Sequence, residues 1–189
     1  MALEDTIHAE GEGARASSSL ARVKAGQMQP LAILQLLVLL AVANGSPVIA
    51  KRVFGQRFSW PLDAGATLFD GRPVFGASKT IRGVLLALVA TSIAAALIGF
   101  DWGLGLLVGM SAMAGDLLSS FLKRRLGRLP SSRALGLDQI PESLLPALAG
   151  RNLLGLDWLD IALVTGLFLA GEILVSRWLY RLRIRDQPY

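Results

Sequence analysis

Long apolar runs limit this chain more than any other feature. Residues 30–50 and 83–100 carry no charge, 102–122 holds only Asp116, and 158–180 holds Asp160, Glu172 and Arg177 in an otherwise apolar run. Each is close to the roughly 20 residues that carry a helix across a bilayer. A fifth run, 134–150, is weaker because it holds Asp138, Pro141, Glu142 and Pro146. It reads as a broken span, or one buried within protein, since irregular backbone at membrane depth needs protein or a cavity around it. The first run is interrupted at Asn44, Gly45, Ser46 and Pro47, where a helix break is expected. The fold class implied is all-α, a polytopic integral membrane protein with about five transmembrane helices. Residues 1–27 are polar and small, start acidic and lack the basic-then-apolar order of a signal peptide, so they read as a disordered tail. Residues 28–189 then form a single membrane-embedded domain.

Composition narrows the chemistry. Charged residues make up 17% of the 189-residue chain, against about 25% in soluble domains. There is no cysteine, which excludes disulfides, thiolate catalysis and cysteine-based metal sites. The single histidine, His8, lies in the tail, which argues against a histidine base or a histidine metal cluster. Chemistry is left to Asp, Glu, Lys, Arg, Ser, Thr and Asn. Carboxylates suit hard cations such as magnesium, and Lys and Arg suit phosphates.

The net charge of +5 has a topological explanation, so no nucleic-acid partner is implied. Six cations flank or occupy the connection after the first run: Lys51, Arg52, Arg57, Arg72, Lys79 and Arg82. Five follow the third run: Lys123, Arg124, Arg125, Arg128 and Arg133. Four more, Arg177, Arg181, Arg183 and Arg185, close the chain. The opposite side receives only Arg15, Arg22, Lys24 and Arg151. With five spans, the positive-inside rule puts the N-terminus outside and the C-terminus in the cytoplasm. The expected location is the plasma or inner cell membrane. Trp60, Trp102, Trp158, Trp178 and Tyr180 stand at run ends, as an interfacial aromatic belt does. Gly105 and Gly109 form a small-xxx-small pair suited to close helix packing.

Candidate site residues gather on the cation-rich side. An aspartate deep in a span costs about 2.5–3.5 kcal/mol on insertion scales, so Asp116 is expected to face protein, water or an ion. At helical spacing Asp116, Ser119, Ser120 and Lys123 share one face, which ends in Lys123-Arg124-Arg125. An Asp116–Lys123 structural pair and a cation site facing phosphate both fit that face. The connection SWPLDAGATLFDGRPVFGASKTIRG carries Asp63, Asp70, Lys79, Thr80 and Arg82 among four glycines, a setting that lets amides and cations approach phosphate. It is no P-loop, since residue 78 is Ser where that motif needs Gly, and no strand precedes it. Asp138 and Glu142 re-enter the membrane on the side where Asp116 leaves it. Two acids at one depth can share a divalent cation. Asn44 is a weaker polar-lining candidate, and Glu172 has no assigned role.

The set N-x-x-P, PLD-x-G, FDG, G-x-x-KT-x-RG, GD-x-x-x-S-x-x-KRR and LDQ resembles the CDP-archaeol synthase family, relatives of the bacterial CDP-diacylglycerol synthases. The resemblance runs from about Leu36 to Arg151. It implies an integral-membrane cytidylyltransferase that converts CTP and a phosphorylated lipid to a CDP-lipid and pyrophosphate, with Mg2+. By motif, Asp116, Asp138, Lys79 and Lys123 are implied to be catalytic. Asn44, Asp63, Asp70, Thr80, Arg82, Ser119, Ser120, Arg124 and Arg125 are implied to contact substrate. Asp116 and Asp138 are the implied metal ligands. The family often shows D-x-x-D where this chain reads LDQIPES, so Pro141 stands at the second acid and Glu142 becomes the candidate replacement. The partners implied are CTP, a phosphorylated membrane lipid and the bilayer. A homo-oligomer is compatible with the sequence but not specified by it. Two other activities fit parts of the pattern: a CTP-dependent lipid-alcohol kinase, and a small cation transporter using Asp116.

Overall fold

The computed structural model of the chain describes residues 28–129, 134 and 136–181, with side chains placed up to Val175. The expected tail at 1–27 and the side chains of Trp178 and Tyr180 lie outside the described residues. Five helices follow one another: α1 (Pro30–Phe54), α2 (Ile81–Leu97), α3 (Trp102–Arg125), α4 (Gln139–Leu154) and α5 (Trp158–Arg181). Among the described residues there are no strands, only isolated bridges between Pro61 and Thr80 and between Thr67 and Pro73.

Local chemistry sets the helix ends. Pro30 opens α1, where its missing N–H leaves nothing unsatisfied. The Thr80 hydroxyl accepts from the Gly83 amide to cap α2, and Asp101 accepts from Gly103 to cap α3. Gly155, at φ +65°, ends α4 in the left-handed conformation. At the start of α5, Asp157 and Asp160 each accept the other's backbone N–H, at 2.8 and 3.1 Å. Asp160 is fully buried and also accepts from the Gln29 amide, so it ties the start of α1 to the start of α5.

Three helices are long and apolar enough to cross a membrane, over Pro30–Phe54, Trp102–Arg125 and Trp158–Val175, and α2 is a shorter apolar helix. Leu36, Leu39, Leu40 and Ala43 of α1 form the spine of the core. Against them lie Val108 and Ala112 of α3, Ala147 of α4, and Ile161, Val164 and Phe168 of α5. The outer faces are also apolar: Leu31, Leu34, Leu85, Val89, Ile93, Leu97, Leu167 and Leu174 are all exposed. Apolar residues on both the inside and the outside are what a lipid solvent permits and water does not.

The expected break in the first run does not occur. Helix α1 is continuous for 25 residues with Pro47 inside it. Side chains near the proline bond the helix's own carbonyls: Asn44 donates to Leu40 and Ser46 to Val42. Helix α4 also differs from the expected run. It starts at Gln139, five residues later than the apolar pattern, and holds Pro146 in its interior.

Glycine sets how closely the helices meet. A Cβ on Gly105 would lie 2.5 Å from the Thr91 carbonyl oxygen and 2.6 Å from Ser92 Cα, so α2 and α3 touch at the backbone there. Gly109 continues that contact against Leu88 and Thr91, as the small-xxx-small pair implies. Gly115 is tighter, with a Cβ there meeting the Pro141 carbonyl oxygen at 2.2 Å. Gly115 lies ten residues before the end of α3, about 15 Å along its axis. The chain after α3 therefore folds back along it, and α4 begins beside the middle of α3.

Two substitutions separate packing from helix propensity. Gly105→Ala is expected to lower the melting temperature in detergent, a loss on the order of 1–3 kcal/mol from overpacking. Gly45→Ala, where nothing lies within 4 Å of the new Cβ, should leave it unchanged or raise it. Thermal unfolding followed by circular dichroism reads both.

Candidate active site

The connection between α1 and α2 is long but ordered, and Asp63 organises it. One Asp63 oxygen accepts from the amides of Phe75 and Gly76, both at 2.9 Å. The other accepts from Gly65 at 3.1 Å. Partial burial pushes this carboxyl up, but the Gly76, Phe75 and Gly65 amides outweigh it, so its pKa falls below the ordinary 3.8. Asp70 accepts from the Arg72 amide at 3.1 Å and from the Arg125 guanidinium at 2.5 Å. These two contacts likewise outweigh slight desolvation and lower its pKa.

The end of α3 holds this loop in place. Arg125 also donates to the carbonyls of Arg72 and Pro73, and it lies over the Phe121 ring at 5.3 Å. In return Arg72 donates to the carbonyls of Arg124 and Arg125, where the negative end of the helix favours a cation. Gly127, at φ +71°, leaves room for the Arg72 guanidinium, which would sit 3.3 Å from a Cβ there.

Beneath the loop lies a cavity of about 310 Å³. Pro47 and Lys51 of α1, Gln56 and Ser59 of the loop, Ser78-Lys79-Thr80, Arg82, Gly83 and Val84 line it, with Met113, Asp116 and Leu117 of α3. Its lining divides into an apolar group, Pro47, Val84, Met113 and Leu117, and a polar one that includes the cations Lys51, Lys79 and Arg82. Lys79 Nζ contacts both oxygens of Asp116 at 2.5 Å. The Arg82 guanidinium donates to the carbonyls of Arg57 and Gly55 and lies over the Phe54 ring at 5.7 Å.

On the other side of α3, the start of α4 brings a second set of charges. Glu142 is buried within hydrogen-bonding reach of Asp116. Two carboxyls this close repel each other unless a cation or a proton lies between them. Asp138 pairs with Lys123 at 2.7 Å and accepts from the Ala134 amide. Gln139 donates to Glu172 of α5 at 3.1 Å and accepts from the Gly136 amide at 2.8 Å. Arg124 is only 3% exposed and donates to the Leu129 carbonyl, while its Nε and Nη1 have no hydrogen-bond partner among the described residues.

The structure thus regroups the sequence candidates. Lys79, Thr80, Arg82 and Asp116 meet at the cavity, and Glu142 adjoins Asp116. Asp116 pairs with Lys79 of the loop, not with Lys123 on its own helix face. Asp116 pairs with Lys79, whereas Asp138 pairs with Lys123. Among the described residues no three acids gather closely enough to hold a metal ion. Lys123 pairs with Asp138, Arg124 donates to the Leu129 carbonyl, and Arg125 pairs with Asp70. Thr80 caps α2, Ser119 donates to the Asp116 carbonyl, and Asn44 bonds within α1. Asp63 and Asp70 shape the loop. Sequence reasoning missed Lys51, Gln56, Ser59 and Ser78 on the cavity wall. Only their nearness to the glycine-rich loop hinted at them.

Fold and site define a helical membrane protein whose polar chemistry collects at one end of the bundle, beneath a basic glycine-rich loop. The chain belongs to the CarS-like family of CDP-archaeol synthases, whose profile matches residues 28–189. It is 33% identical over 157 residues to the CDP-archaeol synthase of Saccharolobus islandicus (strain L.S.2.15 / Lassen #1), covering 78% of this chain and 89% of that one. Identity to the Sulfolobus acidocaldarius protein of the same name is 34% over 156 residues, covering 78% and 91%. The Aeropyrum pernix protein of that name is 40% identical over 123 residues, covering 62% and 67%. A solved structure of an intramembrane enzyme for archaeal membrane lipids biosynthesis matches with a TM-score of 0.65 at 29% identity, covering 76% of this chain and 91% of its own.

Asp63 offers a test of the loop. Its lowered pKa means its contribution is present above about pH 3.8 and is lost as pH falls through the lowered value. Hydrogen-exchange protection at Phe75 and Gly76, corrected for intrinsic rates, should hold at pH 5–7 and fall in that acid range. Asp63→Asn, which puts a donor where one of the two oxygens accepted, should reduce the same protection already at neutral pH.

Proposed function

We propose that this chain is a membrane cytidylyltransferase of lipid biosynthesis that works at the cavity between α1, α2 and α3. A phosphate oxygen of the lipid attacks the α-phosphorus of CTP. The bond from that phosphorus to the bridging oxygen of the β-phosphate breaks, and the pair of electrons leaves with pyrophosphate. The lipid phosphate is already ionised, so no strong base is required, which suits a site without His or Cys. Catalysis is then positioning and charge neutralisation.

The observation that carries this reading is the Lys79–Asp116 pair at the cavity, with Glu142 beside it. Lys79 and Arg82 offer cations to phosphate oxygens, and the amide-rich loop before Thr80 lets backbone approach them. The apolar lining from Pro47, Val84, Met113 and Leu117 suits the lipid end of a phosphorylated lipid. Asp138 with Lys123, and the buried Arg124, extend the charged region towards α4.

A divalent cation fits this donor set. Asp116 and Glu142 converge as a hard-oxygen pair that shares one cation, Lys79, and a metal would relieve the repulsion that remains. We place Mg2+ with those two acids, with Asp138 outside the pair. When bound, the ion would neutralise charge on the triphosphate. The cation distribution supports five spans with the N-terminus outside and this site facing the cytoplasm, where CTP is available. The relatives' name points to archaeol phosphate, an ether lipid, as the lipid substrate.

Purified protein given CTP, Mg2+ and a panel of phosphorylated lipids should form a CDP-lipid that retains the α-phosphorus label, and release pyrophosphate. Release of CDP with transfer of the γ-label would show a kinase instead. Asp116→Asn should reduce turnover on the order of 100-fold or more while the protein stays folded. Near-normal turnover in that variant would sink the site. Glu142→Gln should raise the Mg2+ concentration needed for half-maximal rate. An unchanged Mg2+ dependence would remove Glu142 from the metal pair.

A further inference from the structure

Lys51 lies outside every motif that suggested the site. It stands in the last turn of α1 and lines the cavity. Three cations border that cavity, and two are committed. Lys79 is held by both oxygens of Asp116, and Arg82 is bound to the carbonyls that follow α1 and stacked on Phe54. Lys51 differs. Its carbonyl accepts from the Gly55 amide at 3.0 Å, which fixes the backbone. Its ammonium makes no ion pair or hydrogen bond among the described residues.

The surroundings favour an anion at that ammonium. Pro47, one turn earlier on the same face of α1, belongs to the apolar lining. Gly83 brings α2 close to α1 at the cavity wall, since a Cβ there would lie 3.3 Å from Pro47 Cβ and 3.1 Å from the Thr80 hydroxyl. The cavity thus has one apolar side, two cations in use, and one cation still available.

We propose that Lys51 binds a phosphate group of an incoming substrate, the chemistry shared by the CTP triphosphate and the lipid phosphomonoester. This rests on the cytidylyltransferase reading above. An ammonium on a flexible stem acts as a point charge, so it adds to substrate and transition-state binding alike.

The test varies each substrate separately with purified full-length protein. Lys51→Gln should raise KM about tenfold or more for at least one substrate, with kcat little changed and the melting temperature unaltered. Lys51→Arg, which keeps the charge, should recover most of that loss. A rise for the lipid alone identifies the lipid phosphate as the ligand. A rise for CTP alone identifies the nucleotide. Unchanged KM values for both, a fall in kcat alone, or a loss that follows a lower melting temperature would overturn the proposal. Equilibrium binding of CTP and of lipid phosphate to parent and variant, measured without turnover, reads the same role where no product forms. Absent product with intact Lys51-dependent binding would overturn the reaction and leave the phosphate site standing.

Discussion

The approach of α4 to α3 at Gly115 is the contact on which the rest of the site depends. No side chain larger than hydrogen fits there, since the Pro141 carbonyl oxygen would lie 2.2 Å from a Cβ. The contact falls at mid-helix on α3 and in the first turn of α4. It therefore fixes depth as well as distance. Asp116 follows Gly115 and Glu142 follows Pro141, so the backbone contact brings the two carboxyls together. Pro141 suits the position because the first turn of a helix has no intrahelical partner for its N–H. The proline that interrupts the expected acid pattern thus helps to place the acid that comes after it.

Charge placement follows from that geometry. Burying a carboxylate without a partner is expensive, and three acids at α3 each have one. Asp116 takes Lys79 from the loop, Asp138 takes Lys123 from α3, and Asp70 takes Arg125. The partners come from different elements, so the ion pairs also act as ties. Arg125 and Arg72 exchange bonds between the loop and the end of α3, and that exchange holds the loop over the cavity. On the proposed reaction, phosphate would compete with Asp116 for Lys79. The carboxylate that Lys79 would leave is one of the two acids at which Mg2+ is proposed, so the metal would take over its compensation.

Much of the helical architecture was legible in the sequence because burial in lipid leaves few choices. The start of α1 at Pro30, α3 at Trp102 and α5 at Trp158 followed from apolar runs and their flanks. The continuity of α1 through Pro47 did not, since it depends on Asn44 and Ser46 bonding carbonyls behind them. The true start of α4 was hidden for a different reason. It is set by contact with α3 and not by periodicity. The motifs named Lys79 and Asp116 but not their pairing, and helical spacing offered Lys123 as one partner beside a cation site. A local rule sees only the neighbour on the same helix, while the fold supplied one from 37 residues away.

The motif residues also divide by function in a way that spacing cannot reveal. Asp63 and Lys79 sit in one loop, yet all three hydrogen bonds to Asp63 come from that loop's own amides, while Lys79 reaches α3. A carboxylate that accepts three amides has little capacity left for a ligand, so its charge is spent on shape. The same reasoning separates Thr80, used as a cap, from Arg82, whose side chain borders the cavity. Lys51 is the converse case. It sits next to ordinary basic residues at a helix end, where lysine is common at a membrane boundary, and no pattern marks it. Only the cavity, together with the commitments of its two neighbouring cations, distinguishes its ammonium from the other charges on that surface.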